Sequence, residues 1–127
     1  MAPTARLIGA VFDGRYRILS KIGEGAMGEV YLAEHVHLGR HEAVKVLHPE
    51  TARQHKLASR FRREARAINR LRHANIIAIH DFGALADGSL YLAMEYVAGR
   101  GVDSILHDSG ALPLPRALRV LHQLAQA

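Results

Sequence analysis

The chain contains no cysteine, which excludes both a disulfide scaffold and a thiolate metal site. It also lacks a long apolar run. The apolar stretch near the start is broken by Gly9 and Asp13, too short and poorly flanked for a signal peptide or a membrane span. Aromatic residues are only 6% of the chain, and no nucleic-acid module signature accompanies the net charge of +5. The basic residues concentrate between Arg53 and Arg72, where a solvated helix face accounts for them. Among the nine histidines no H-x-x-x-H encloses a glutamate; His35 and His37 share a strand face, and His41-Glu42 lacks a second histidine. They read as scattered surface residues with no metal site. The remainder, 49% hydrophobic over 127 residues, suffices for the core of one domain, expected to be soluble and cytoplasmic.

The most informative positive feature is Ile22-Gly23-Glu24-Gly25-Ala26-Met27-Gly28-Glu29-Val30, followed by Ala43-Val44-Lys45-Val46-Leu47. Glycine tolerates positive φ and lets backbone N–H groups approach an anion closely. A G-x-G-x-x-G run occurs in two unrelated kinds of site, so what flanks it decides. A dinucleotide site needs the turn to open a helix. Here Glu29-Val30-Tyr31-Leu32-Ala33-Glu34 is β-branched and aromatic, and Tyr16 to Ile22 is strand-like too. The glycines therefore sit in a strand–turn–strand hairpin, with Val30 two residues past the last of them. No glycine is followed by Lys-Ser or Lys-Thr, so a P-loop is excluded.

Along the chain, residues 16–22, 29–37 and 41–47 read as three consecutive strands, the third ended by His48-Pro49. A helix follows from Thr51 or Ser59 to Leu71, with Leu57, Phe61, Ala65, Ile68 and Leu71 as its apolar stripe. Ile76–His80 and Leu90–Glu95 are two more strands, joined by a turn at Asp87-Gly88-Ser89. From Val102 the pattern turns helical, first to Asp108 and then from Leu114-Pro115, whose apolar face is Leu114, Leu118, Leu121 and Leu124-Ala125.

The hairpin Ile22–Val30 has the G-x-G-x-x-G-x-V form, and four further motifs follow it in order. These are Ala43-Val44-Lys45, Arg60-Phe61-Arg62-Arg63-Glu64-Ala65, His73-Ala74-Asn75-Ile76-Ile77 and Tyr91-Leu92-Ala93-Met94-Glu95-Tyr96-Val97. In them the chain resembles the N-terminal lobe of a eukaryotic-like serine/threonine protein kinase of the kind many bacteria carry. The resemblance spans residues 12–127. It departs at Glu42, where an apolar residue is usual, and at Ala74, where proline is common. It implies an α+β fold: a five-stranded antiparallel sheet plus one long helix, followed by the first helices of an incomplete helical lobe. The expected organisation is a loose leader over 1–11, the ATP-binding lobe and its linker over 12–97, and the start of the helical lobe over 98–127.

On a strand Ala43, Lys45 and Leu47 share one face, and an ammonium among apolar neighbours is costly unless paired. Lys45 is either a lysine snorkelling at a sheet edge or, as the resemblance implies, the group reaching the α- and β-phosphates of ATP. Glu64 projects near the apolar stripe. Its alternatives are a surface salt bridge with Arg60 or Lys56 and the ion pair with Lys45 that active kinases require. The resemblance also implies adenine contacts from Glu95 and Val97 backbone groups, with Met94 behind the pocket and Ile22, Val30 and Ala43 sandwiching the ring. The hairpin residues Gly23, Glu24, Gly25, Ala26, Met27, Gly28 and Glu29 would cover the phosphates. Ordinary core packing explains the apolar positions equally well. Ile68 and Ile79 match a stack that aligns the lobes, and Gly101 stands where a polar ribose contact is common.

Asp81-Phe82-Gly83 spells the kinase magnesium motif but precedes the interlobe linker instead of following it, so it reads as a strand end. No histidine is followed by Arg-Asp. The expected function is thus ATP-dependent phosphoryl transfer to protein serine or threonine by a longer protein. Its catalytic aspartate and Mg2+ ligands lie outside this chain, which alone is expected to be inactive. The alternative is a non-catalytic, pseudokinase-like module that binds nucleotide or protein. The uncovered leucine face of the last helix predicts poor solubility or self-association.

Overall fold

The computed structural model describes residues 7–25 and 28–127. Its strands are β1 (Val11–Phe12), β2 (Tyr16–Glu24), β3 (Glu29–His35), β4 (His41–Leu47), β5 (Ile79–Ala84) and β6 (Leu90–Glu95). Its helices are α1 (Pro49–Ala52), α2 (His55–Arg70), α3 (Val102–Ser109) and α4 (Leu114–Gln126). The strands form one antiparallel sheet in the order β1-β2-β3-β4-β6-β5.

The sheet has six strands where five were expected, because Asp13 and Gly14 both take positive φ (50° and 66°) and fold the chain back on itself. Such consecutive left-handed residues suit an Asp-Gly hairpin turn. The turn closes through the Arg15 amide donating to Phe12 O, 2.9 Å. Residues 7–11, expected in a loose leader, are instead tied to the sheet. The Gly9 amide donates to Ile18 O, the Ile18 amide donates to Ala10 O, and Leu7 and Ala10 pack on the core.

Both faces of the sheet are covered near β4, which explains its nearly continuous apolar sequence. One face, here the outer face, gathers Phe12, Tyr16, Ile18, Tyr31, Ala33, Val44, Val46, Tyr91 and Ala93. The other, the helix face, sets Leu47, Leu90 and Leu92 against Ala58, Phe61 and Ala65 of α2.

The expected helix from Thr51 or Ser59 to Leu71 is two: short α1, then α2 from His55 to Arg70. Of its predicted stripe only Phe61 and Ala65 are buried; Leu57 is half-buried, and Ile68 and Leu71 are exposed. The strand expected over Ile76–His80 runs over Ile79–Ala84. The turn at Asp87-Gly88 fixes Ala84 opposite Leu90, and β6 ends at Glu95, so no ladder partner remains before Ile79 except the Glu95–Ala78 contact. The β5 ladder skips His80, leaving it in a bulge.

Candidate functional site

Register places the sequence-predicted site on the helix face. Val30 of β3, Lys45 of β4 and Leu92 of β6 lie side by side, and one pair further on Leu32, Ala43 and Met94 do the same. Directly paired residues point to the same side. Val30, Ala43, Lys45 and Met94 thus form one continuous patch, with Gly23 opposite Val30 and Ile79 opposite Met94. Ile22 falls in a register shift of β2 and is exposed.

The glycine hairpin closes through the Gly25 amide donating to Gly28 O, 2.9 Å. Gly28 lies so close to β4 that a Cβ there would stand 1.9 Å from Val46 O, so any side chain would lift the hairpin off the strand. Ala26 and Met27 lie outside the described residues. The two acidic residues of the run turn elsewhere. Glu24 is held by Lys21, which also reaches Glu29 Oε1 at 3.3 Å. Glu29 is opposite Val46, on the outer face, where Tyr31 Oη donates to it and His48 Nε2 stands at 3.4 Å. Those contacts with Glu24 first, and then Glu29, raise the Lys21 pKa above the ordinary lysine value, against the opposing effect of desolvation. The Glu29 side chain therefore lies on the opposite face of the sheet from Lys45.

The expected Lys45–Glu64 ion pair is not formed. Glu64 accepts from Arg60 Nε at 2.9 Å, one turn back on its own helix, and both side chains are more than half exposed. The reason lies in how α2 seats. Ala58, Phe61 and Ala65 turn to the sheet, which leaves Glu64 at the solvent margin of the stripe. Among the described residues Lys45 makes no ion pair, so its ammonium is the uncommitted cation of the patch.

At the end of β6, the Glu95 amide donates to Ala78 O (2.8 Å) and its carboxylate accepts from the Ala78 amide (3.2 Å). Of the backbone groups expected to meet an adenine, the Glu95 amide is thus already used. Val97, exposed just past the strand, has no hydrogen bond of its amide or carbonyl among the described residues. Gly101 serves as the N-cap of α3, with Asp103 in its first turn.

Asp81-Phe82-Gly83 is accounted for by packing throughout. Asp81 accepts from Arg15 Nη1 (2.6 Å) and Tyr16 Oη (3.1 Å), Phe82 tilts against Phe61 with centroids 5.8 Å apart, and Gly83 makes room for the Tyr91 ring. Buried Tyr16 is pushed up to about 12 by desolvation first and by the Asp81 bond second.

Sequence reasoning treated Glu42 as a departure and missed its role. It is fully buried on the outer face of β4, accepting from Arg40 Nε at 2.7 Å and contacting His80 Nδ1 at 2.6 Å. A buried carboxylate needs such partners. The available signal was an acid within an apolar strand, flanked by a basic residue two positions earlier.

Residues 16–127 match the family model described as protein kinase domain. The chain is 46% identical over 116 residues to the serine/threonine-protein kinase pkn2 of Myxococcus xanthus, covering 91% of this chain and 14% of that protein. It is 40% identical over 121 residues to the serine/threonine-protein kinase PrkC of Bacillus subtilis, covering 95% of this chain and 18% of that one. A crystal structure of the Mycobacterium tuberculosis PknI kinase domain superposes with a TM-score of 0.77 at 36% identity, covering 93% of this chain and 47% of that domain. The chain thus spans under a quarter of these curated relatives and about half of the solved domain.

Proposed function

The chain belongs to the protein kinase family, and on that premise we propose that it is the ATP-gripping part of a serine/threonine protein kinase. The observation carrying this reading is the uncommitted Lys45 ammonium, set among Val30, Ala43 and Met94 beneath the glycine hairpin. Phosphoryl transfer asks little covalent chemistry of the protein and much positioning and charge neutralisation. Lys45 supplies the positive charge for the α- and β-phosphates. Val30 and Ala43 offer the adenine an apolar wall, and the free Val97 amide offers its edge a donor. The Gly23–Gly28 hairpin brings backbone close to the phosphates because Gly28 can lie flat on β4. Mg2+ would neutralise phosphate charge during transfer. The Asp81 carboxylate is committed to Arg15 and Tyr16 and is not assigned to it. Glu64 would leave Arg60 for Lys45 when α2 turns toward the patch, exchanging an exposed pair for a better shielded one.

Titration of the chain with a fluorescent ATP analogue tests the reading. Lys45→Ala should weaken binding by roughly tenfold or more, the loss of a charge-assisted contact. Equal affinity in the variant would overturn it. Phosphotransfer to a protein substrate is expected only from a longer protein carrying an H-R-D loop and a second D-F-G, and not from these 127 residues.

A further inference from the structure

Glu42 of β4 and Glu95 of β6 are directly paired, so two carboxylates leave the sheet on the same side. Like charges placed opposite one another destabilise a sheet unless each finds a partner. Here one short segment supplies a partner to both. His80 Nδ1 stands 2.6 Å from Glu42 Oε2, and the Ala78 amide donates to Glu95 Oε2 at 3.2 Å. The other Glu42 oxygen, Oε1, accepts from Arg40 Nε at 2.7 Å. The β5–β6 ladder passes over His80, pairing Ile79 with Met94 and then Asp81 with Ala93. The bulge at His80 is therefore fixed by its contact with the buried Glu42 carboxylate. Two residues before His80, the Ala78 carbonyl accepts from the Glu95 amide at 2.8 Å. Val97, the expected adenine contact, follows Glu95 by two residues. On the next residue of the linker, Tyr96 meets the His41 ring edge-on with centroids 6.1 Å apart, and His41 adjoins Glu42 in β4.

From this we infer that Glu42 is a positioning residue for the linker that meets the adenine. Through His80 it holds the β5 bulge, the bulge sets Ala78, and Ala78 sets Glu95 and the Val97 donor beyond it. The inference rests on the ATP reading above and assigns to it a second residue of β4. Lys45 acts on the phosphates from the helix face, and Glu42 acts on the base from the outer face. An apolar residue at position 42 fills the same space without tethering His80. The effect of such a change thus belongs to linker order and base recognition more than to overall stability.

The test compares the full chain with Glu42→Leu, His80→Ala and Glu42→Gln, using two readouts. The first is amide hydrogen exchange without nucleotide. Exchange at Ala78 and Glu95 should rise several-fold in Glu42→Leu, while Gly9 and Ile18 at the far edge of the sheet stay unchanged. The second is displacement of a fluorescent ATP analogue by adenosine and, separately, by inorganic tripolyphosphate. Adenosine should compete roughly fivefold more weakly in Glu42→Leu, as one misplaced hydrogen bond costs, with tripolyphosphate unaffected. His80→Ala should lose the same amount and the double variant no more, because both act through one contact. Glu42→Gln keeps an acceptor for Arg40 and a donor for His80 and should restore adenosine binding. Unchanged adenosine competition in Glu42→Leu would overturn the inference, as would an equal loss for tripolyphosphate. If the unaltered chain bound neither competitor, the ATP reading itself would fall, and unchanged exchange at Ala78 and Glu95 would still overturn the tether.

Discussion

Helix α2 buries Ala58, Phe61 and Ala65 against the sheet, whereas helix α4, with leucines at 114, 118, 121 and 124, buries none of them. Those four leucines remain 57–70% exposed. Both helices have the three-and-four spacing of an amphipathic element, so periodicity predicted a face in each case. What differs is the surface opposite. The sheet offers Leu47, Leu90 and Leu92 to α2, while α4 meets the rest of the chain through contacts such as Asn75 Nδ2 donating to Gln123 O, 2.9 Å. Two carboxylates show the same contrast. Glu42 is fully buried and doubly bonded, while Glu64 is exposed and bonded once along its helix.

The largest expected effect tests the helix comparison directly. Phe61→Ala should destabilise the chain by about 4 kcal/mol, as large-to-small changes in a packed core do. Urea unfolding measures it, and a cost below 1 kcal/mol would mean that α2 is no better seated than α4. Next comes the buried acid. Removing Arg40 and His80 together by alanine leaves Glu42 buried without a partner and should cost about 3 kcal/mol, whereas Glu42→Leu should change stability by less than about 1 kcal/mol. Equal costs would contradict the burial of that charge.

Alkaline titration probes the outer face. The Tyr16 hydroxyl is raised from 10 to about 12 by burial and by its bond to Asp81, so the neutral form is the one the fold favours. Its contribution is therefore complete below pH 10 and is lost as pH rises from 10 through 12. Tyrosinate absorbance followed against pH, with Tyr16→Phe as the control, reads this out. A Tyr16 that ionises like a free tyrosine would refute it. The smallest effect should come from Leu118→Ala, within about 0.5 kcal/mol because no packing is lost. Leu118→Glu should instead shift sedimentation toward monomer, and unchanged self-association would show that the leucine face is not what joins the copies.

The glycine hairpin, strands β3 and β4, the turn at Asp87-Gly88 and both long helices were legible because each is written in local spacing or turn chemistry. The Asp13-Gly14 turn signal was passed over, because the two-residue strand it creates is too short to show a period. Ile76-Ile77 looked like strand by composition. Its fate was set by counting back from the turn to the end of β6, which composition does not encode. In the site, Val30, Ala43, Lys45 and Met94 came together as the alternation of strands required. Glu64 did not join them, because a helix can rotate by a few tens of degrees without changing its sequence pattern.

Sequence alone determined the kinds of element, the glycines at the hairpin and the position of a lysine on an apolar strand, since these depend on backbone sterics and side-chain period within a few residues. Tertiary structure alone decided which cation met which carboxylate. Register, helix rotation and the presence of an opposing surface are set by contacts between residues far apart in the chain, and those contacts gave Glu64 to Arg60, closed Glu42 between Arg40 and His80, and left the α4 leucines bare.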